Sequence, residues 1–382
     1  MHCAGIGYRR YLRFTLLFIR INFCLKRYYP LRILWGFILI IAGLTMNLSC
    51  NPAGERSNEI VFSRFPEEIS LHSAPLPVDY IMKTGRLEVV DSFLLVVDTW
   101  TVDYFIKIFN IHSGELLISL CPRGKGPSET EFVSSFSFYP PGRKIFINDF
   151  RKNHFLIWQI DSALQDSGYQ PLRLEVPGKY YPLWDHVVLS DSCIGVSGLF
   201  RELICRVNVR GEEVGCFGEN VMASLLGYPT DLSRALFSID LQEGILAGAY
   251  LFFDRLLICN ALTGETICMV TGPDRITMEE QQKRNEQSRW IGYYGKPVIW
   301  QGRIWAAYQG AGISTTVNNQ PSLNYPSCIL VFSLDGTPEA KIVLDRRIQL
   351  FAIDRNRQKL VAYSPDEEHG FIYYDLSAYV KK

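Results

Sequence analysis

Histidine is scarce in this 382-residue sequence: there are six, and no two stand at a spacing that a metal-binding helix or loop uses. The ten cysteines include no Cys-x-x-Cys pair, which removes the usual sequence signs of structural zinc and of dithiol redox chemistry. No Gly-x-Ser-x-Gly elbow occurs; the nearest strings, Gly126-Pro127-Ser128-Glu129-Thr130 and Gly195-Val196-Ser197-Gly198-Leu199, miss the pattern. A phosphate-binding Walker loop is absent as well. These gaps leave no catalytic residue, metal ligand or cofactor to assign.

Acidic residues are missing from the first 50 positions, which hold seven of the 39 Lys and Arg residues: Arg9, Arg10, Arg13, Arg20, Lys26, Arg27 and Arg32. The remainder is mildly acidic, with 32 basic against 39 acidic residues. It shows no basic stripe able to neutralise phosphates, and nucleic acid is excluded as a partner.

The cations of the first segment precede an apolar run, Ile33 to Leu44, which meets Asn47-Leu48-Ser49-Cys50. A basic stretch, an apolar stretch of this length and small residues before a cleavage point are the layout of a secretory signal. The end resembles a bacterial lipoprotein box with Cys50 as the lipidated residue, although Leu stands at 48 and Asn at 47, where such boxes usually carry Leu. The competing reading is an uncleaved signal anchor, because the run borders on a membrane-spanning length. Residues 1–50 are therefore expected to be a signal peptide or a hydrophobic anchor helix that ties the chain to a lipid membrane. The polar stretch 51–57 then serves as a tether.

What the body contains is a repeat. Short apolar runs begin at Leu94, Ile145, Ile194, Ile245, Ile304 and Leu360, spaced 51, 49, 51, 59 and 56 residues apart. Units of about 50 residues match a four-stranded propeller blade. A second run follows each first one, and in four units a turn then comes at Ser113-Gly114, Arg210-Gly211, Thr263-Gly264 or Asp335-Gly336. Glycine accepts the positive φ of a tight hairpin, so each unit reads as an antiparallel meander. Residues 58–382 are thus predicted to be all-β, a six-bladed β-propeller of four-stranded antiparallel blades. The last unit runs out near Leu376, and the spare strand Glu59 to Phe62 is expected to complete it and close the ring.

Three insertions interrupt the meanders. Thr277-Met278-Glu279-Glu280 has the form of a capping box and predicts a short surface helix over about 277–289. Residues 310–327 are expected to form a surface loop, and Asn220 to Ala235 a further excursion. Cys205 with Cys216, and Cys259 with Cys268, each flank a predicted hairpin turn and so lie on neighbouring strands. A disulfide in either pair and small apolar packing between blades are both open.

Leu94-Leu95-Val96-Val97-Asp98 followed by Phe105 to Asn110 resembles an NHL-type repeat. The stretch Arg123-Gly124-Lys125-Gly126-Pro127-Ser128-Glu129 resembles the Gly-x-Gly-Pro-Gly-Glu signature between blades of the TolB-like six-bladed propeller lipoproteins of the Bacteroidetes, with Ser128 in place of the usual Gly. That resemblance implies a cell-envelope lipoprotein, anchored at the outer membrane and facing the periplasm or the surface. It brings no catalytic residues. Gly124, Gly126, Pro127 and Glu129 read as a sharp crossover between blades. Asp98 and Asp149, at equivalent strand ends, are either channel-facing carboxylates or caps of the turns that follow them. The expected function is a scaffold that binds a protein, peptide or glycan; the alternative is a metal-dependent hydrolase or lyase with a carboxylate-lined channel.

Overall fold

A computed structural model describes residues 58–380 except 228–229, 287–290, 313, 318–319 and 369. The expected signal or anchor, the lipidation site Cys50 and the tether 51–57 lie outside the described residues. No helix among the described residues is long and apolar enough to cross a membrane.

Three strands precede the first blade: β1 (Asn58–Val61), β2 (Glu67–Leu71) and β3 (Ala74–Asp79). Blade 1 consists of β4 (Gly85–Val90), β5 (Phe93–Asp98), β6 (Tyr104–Asn110) and β7 (Leu116–Pro122). Blade 2 consists of β8 (Val133–Tyr139), β9 (Lys144–Asp149), β10 (His154–Gln159) and, after helix α1 (Ile160–Gln165), β11 (Leu172–Glu175). Blade 3 consists of β12 (Leu183–Ser190), β13 (Cys193–Gly198), β14 (Glu202–Asn208) and β15 (Glu213–Glu219). Helix α2 (Val221–Leu226) leads into blade 4, made of β16 (Ala235–Asp240), β17 (Ile245–Tyr250), β18 (Arg255–Asn260) and β19 (Thr266–Thr271). Helix α3 (Met278–Glu286) precedes blade 5, whose inner strand is split into β20 (Ile291–Tyr294) and β21 (Val298–Trp300). There β22 (Arg303–Gly312) is followed by a separate hairpin, β23 (Ser314–Val317) with β24 (Gln320–Leu323), then by β25 (Cys328–Ser333) and β26 (Pro338–Leu344). Blade 6 adds β27 (Leu350–Asp354), β28 (Lys359–Tyr363) and β29 (Gly370–Asp375), and the short helix α4 (Ser377–Val380) follows.

The repeat was visible because of where each strand sits. The second and third strands of a blade, such as β5 and β6, are buried in almost unbroken runs, since neighbouring blades cover both of their faces. The inner strand β4 alternates between buried and half-buried residues, and the outer strand β7 is largely exposed over its first half. Continuous apolar runs therefore mark the middle of each blade.

Six apolar clusters fill the six gaps between consecutive blades. Leu95, Val97 and Phe105 meet Ile145, Leu156 and Trp158 between blades 1 and 2. Leu87, Val89 and Leu94 meet Ala352, Val361 and Phe371 between blades 1 and 6, so the ring is closed by packing as well as by pairing. Each cluster needs two blades to form, which makes the ring cooperative.

The closing strand differs from the one expected. β1 pairs in parallel with β19 as a fifth strand on blade 4, and β2 pairs in parallel with β26 on blade 5. It is β3 that runs antiparallel to β29 and completes blade 6, with Pro75 opposite Ile372 and Asp79 opposite Gly370. Two prolines, Pro75 and Pro77, make this segment a poor strand by sequence; at the outermost edge, a strand with missing N–H donors is tolerated. The amino-terminal strands thus form a strap over the outer edges of blades 4, 5 and 6.

The turn glycines serve this assembly. Gly114 has φ +73°, and a Cβ there would fall 1.5 Å from the carbonyl oxygen of Pro77 in β3. Gly211, Gly264 and Gly336 lie in the same way against Glu175, Gly218 and Cys268 on the outer strands of the preceding blades. Glycine is needed there both for the turn and for the approach of the next outer strand.

Candidate functional site

The inner strands of consecutive blades surround a central channel, and a cavity of about 470 Å³ opens at the end where those strands begin. Its wall includes Gly85 and Arg86 from blade 1, Val133 to Phe136 from blade 2, Pro182 to Trp184 from blade 3, and Asp231 with Arg234 from the approach to blade 4. Both β8 and β12 are bulged at their first residues: Ser134 is the extra residue between Val133 and Ser135, and Trp184 between Leu183 and Asp185. A bulge re-aims the side chain it displaces, and both Ser134 and Trp184 line the cavity.

The channel carries buried charge. Asp185 is fully buried; its Oδ1 accepts from Lys296 Nζ at 3.0 Å and its Oδ2 from the backbone N–H of Phe237 at 2.8 Å. Lys296 reaches it because the inner strand of blade 5 is interrupted at Gly295-Lys296-Pro297, between β20 and β21. Burial raises the Asp185 carboxyl, but Lys296, His186, Arg86 and the Phe237 amide outweigh it and hold the group below the usual carboxylate range. Burial pushes Glu88 up to about 7 against the pull of Arg355 and Lys296. Arg86 and Arg234 also line the cavity, and the Nε of each is buried with no hydrogen-bond partner among the described residues.

Ser135 and His186 form a contact of 2.7 Å between Oγ and Nδ1. Burial pushes the imidazole down to about 3, so it is neutral at physiological pH. The Nε2 atom is buried without a partner among the described residues, and the neighbouring Asp185 is held by Lys296. A nucleophile's base is usually tuned near neutrality and oriented by a carboxylate, whereas this imidazole is held far below neutrality and the adjacent carboxylate is held by Lys296.

Asp98 and Asp149 occupy corresponding places at the ends of β5 and β9, and each fixes loops. Asp98 accepts from Tyr80 Oη at 2.9 Å and from the Trp100 amide at 2.9 Å. Asp149 accepts from the amides of Glu131, Phe132, Arg151 and Lys152 at 2.9, 3.4, 3.0 and 3.3 Å, linking the blade 1–2 crossover to the turn after β9. No group of three or more His, Cys, Asp or Glu side chains among the described residues is placed to hold a metal ion.

The Gly-rich stretch lies in that crossover. Glu129 Oε2 accepts from the Gly126 amide at 2.6 Å, and its carboxylate lies where a Cβ on Gly124 would come within 2.0 Å. Lys152 Nζ donates to the carbonyls of Gly126 and Glu129, both at 2.7 Å. The glycines make room for the chain's own carboxylate, which fills the concavity formed by the loop backbone. Pro127 stands inside the turn between the Gly126 carbonyl and the Glu129 amide, which are hydrogen-bonded at 3.2 Å.

These supports hold up an apolar rim. Trp100, Val102 and Ile81 are 64, 90 and 73% exposed, and Tyr104, Phe132, Phe150 and Leu199 are also exposed. All seven lie in, or at the edge of, loops that enter an inner strand or join a second strand to a third. Phe132 and Phe150 meet edge to face at 6.3 Å, and Phe150 meets Tyr181 at 6.4 Å. Every strongly exposed aromatic side chain among the described residues lies on this one face. Sequence reading singled out the acids that buttress the rim but not the rim itself, nor Arg86, Asp185, Arg234 and Lys296. Single charged residues on inner strands or in the segments beside them carry no local motif.

Elsewhere, Cys205 and Cys216 face each other across β14 and β15 and are joined in a disulfide. Cys259 and Cys268 are free, because a register shift between Ile258 and Cys259 sets Cys259 opposite Thr266 and Cys268 opposite Ile258. Helix α3 begins as expected, with the Thr277 hydroxyl accepting from the Glu280 amide and the Glu280 carboxylate from the Thr277 amide.

Six blades, six inter-blade cores and a channel mouth define a six-bladed β-propeller. Residues 62–356 match the model of the TolB-like 6-blade propeller-like family, and the chain belongs to that family. Among solved structures it resembles a member of the duf4221 family from Bacteroides vulgatus, at 12% identity and TM-score 0.54, over 80% of this chain and 95% of that one. It also resembles a candidate exported protein from Bacteroides fragilis, at 12% identity and TM-score 0.54, over 83% and 98%. At this identity both likenesses concern the fold. No curated protein matches the sequence.

Proposed function

We propose that this protein is an exported, membrane-anchored binding scaffold that docks a protein, peptide or glycan on the channel-mouth face and carries out no catalysis. The observation that carries this reading is the one-sided rim of exposed aromatic residues around the cavity. Monomeric proteins seldom leave such groups clustered in water without a partner to cover them, and aromatic side chains offer a rigid apolar face with little entropy to lose on binding. Export is supported by the signal-like amino-terminal sequence and by the Cys205–Cys216 disulfide, which suits an oxidising compartment.

The test is co-purification from detergent-solubilised envelope. W100A and F150A should each lose the partner, while L262A, a similarly exposed apolar change on a hairpin at the other end of the ring, should keep it. Equal recovery with all three variants would refute the docking face. A fall in Tm on adding EDTA would favour the metal-dependent hydrolase or lyase instead.

A further inference from the structure

We infer that the docked partner is a protein segment that places a carboxylate between Arg86 and Arg234, inside the ring of aromatic side chains. This deepens the docking-face reading and rests on it.

Of the acids near the two arginines, Asp185 has both oxygens committed, one to Lys296 and the other to the Phe237 amide. Asp231 shares the cavity but lies exposed at its rim. Neither arginine makes an ion pair within 4 Å among the described residues, and each Nε is buried and unpartnered. Burial pulls both guanidinium groups below their usual range against the attraction of Asp185; at Arg234 the repulsion from Arg86 adds to the effect of burial and Asp231 opposes it. Arg86 Nη1 donates to the Gly85 carbonyl at 3.3 Å, but the buried Nε of each arginine is left over, and Asp185 attracts the two from a distance without an ion-pair contact; a carboxylate placed between them would supply that contact. The guanidinium fork fits a carboxylate in two-point geometry.

The surroundings select what carries the anion. Phe136, Leu183 and Trp184 wall the cavity around the arginines, and Phe132 and Phe150 stand at its mouth. A heavily hydrated inorganic ion has no use for that lining, whereas a peptide carboxylate with an apolar neighbour fills both parts. About 470 Å³ lies in the range of cavities that enclose small ligands and holds a few residues of chain.

The test uses the full-length protein in detergent and three probes: acetyl-Phe-Leu-Phe with a free carboxylate, the same peptide as its amide, and acetyl-Phe-Glu-Phe-amide. Titration calorimetry and thermal shift should show at least one of the acidic peptides binding tenfold or more tightly than the neutral amide. The stronger of the two tells whether the partner presents its carboxyl terminus or a side chain. R86Q and R234Q should each bring acidic and neutral peptides to the same affinity. Each variant also loses an attraction to Asp185, so the Tm of the unliganded protein is measured beside the binding and separates a loss of fold from a loss of the carboxylate contact. R234Q, on a segment outside the sheets, serves if R86Q fails to fold.

Equal binding of acid and amide, or undiminished acid binding in R234Q, would overturn the carboxylate assignment while leaving the docking face standing. Inorganic phosphate that stabilises the protein where no acidic peptide does would overturn the assignment of a peptide. Retention of the envelope partner by W100A and F150A would instead remove the docking face itself.

Discussion

Lys296 and Asp185, 111 residues apart in sequence, form a 3.0 Å ion pair that joins the broken inner strand of blade 5 to the bulged inner strand of blade 3. Asp185 is fully buried, so the pair belongs to the inner wall of the ring and is little screened by solvent. Removing one partner of a buried pair leaves the other charge uncompensated. Lys296→Met should therefore cost about 3 kcal/mol in denaturant unfolding. Because the folded Asp185 carboxyl lies below its usual range, its contribution is present above about pH 4 and is lost as pH falls through the folded value. The D185N variant should lack that acid limb.

His186 sets a second pH window. Its imidazole is depressed to about 3 in the fold, against an unfolded value near 6.5. The unfolded chain takes up the proton first, so stability is complete above about pH 6.5 and declines as the pH drops toward about 3. H186F, which keeps the edge contact with Phe155, should flatten thermal melts between about pH 6.5 and 4.

Gly124 and Glu129 make a coupled pair. A methyl group at Gly124 would meet the Glu129 carboxylate and break its bond to the Gly126 amide. G124A should cost about 1–3 kcal/mol on its own and E129A about 1 kcal/mol. In the E129A background, G124A should cost under about 0.5 kcal/mol, because the group it strikes is gone. A double-mutant cycle from urea melts measures the difference.

The Cys205–Cys216 bond closes a short loop, with a sequence separation of 11. The double C205A/C216A variant should lose about 3 kcal/mol on the chain-entropy scale. Alkylation of the unreduced, denatured protein should label Cys121, Cys193, Cys259, Cys268 and Cys328 and spare the bonded pair; mass spectrometry reads the outcome directly.

The fold was legible because the middle strands of each blade are covered on both sides, and unbroken apolar runs repeat with the blade. Leu94 to Val97 and Ile145 to Ile147 declare themselves in this way. The closing strand was not legible. Pro75 and Pro77 disguise β3, while Glu59 to Val61, a better strand by composition, adds to the edge of blade 4 instead. Sequence placed Asp98 and Asp149 at corresponding strand ends, and the structure shows each accepting hydrogen bonds from the loops that carry Trp100, Phe132 and Phe150. The rim itself escaped notice because its residues come one or two at a time from separate loops. The arginines escaped because nothing local marks Arg86, on an inner strand, or Arg234, just before one, as unpaired.

The most direct measurement is site-specific photo-crosslinking in the intact envelope, with a benzophenone side chain placed in turn at Trp100, Phe132, Phe150 and Leu262. Adducts with one and the same partner are expected from the first three positions and none from Leu262, and they should be lost when Arg234 is replaced by Gln. Adducts from Leu262 alone, or from all four positions without preference, would contradict it.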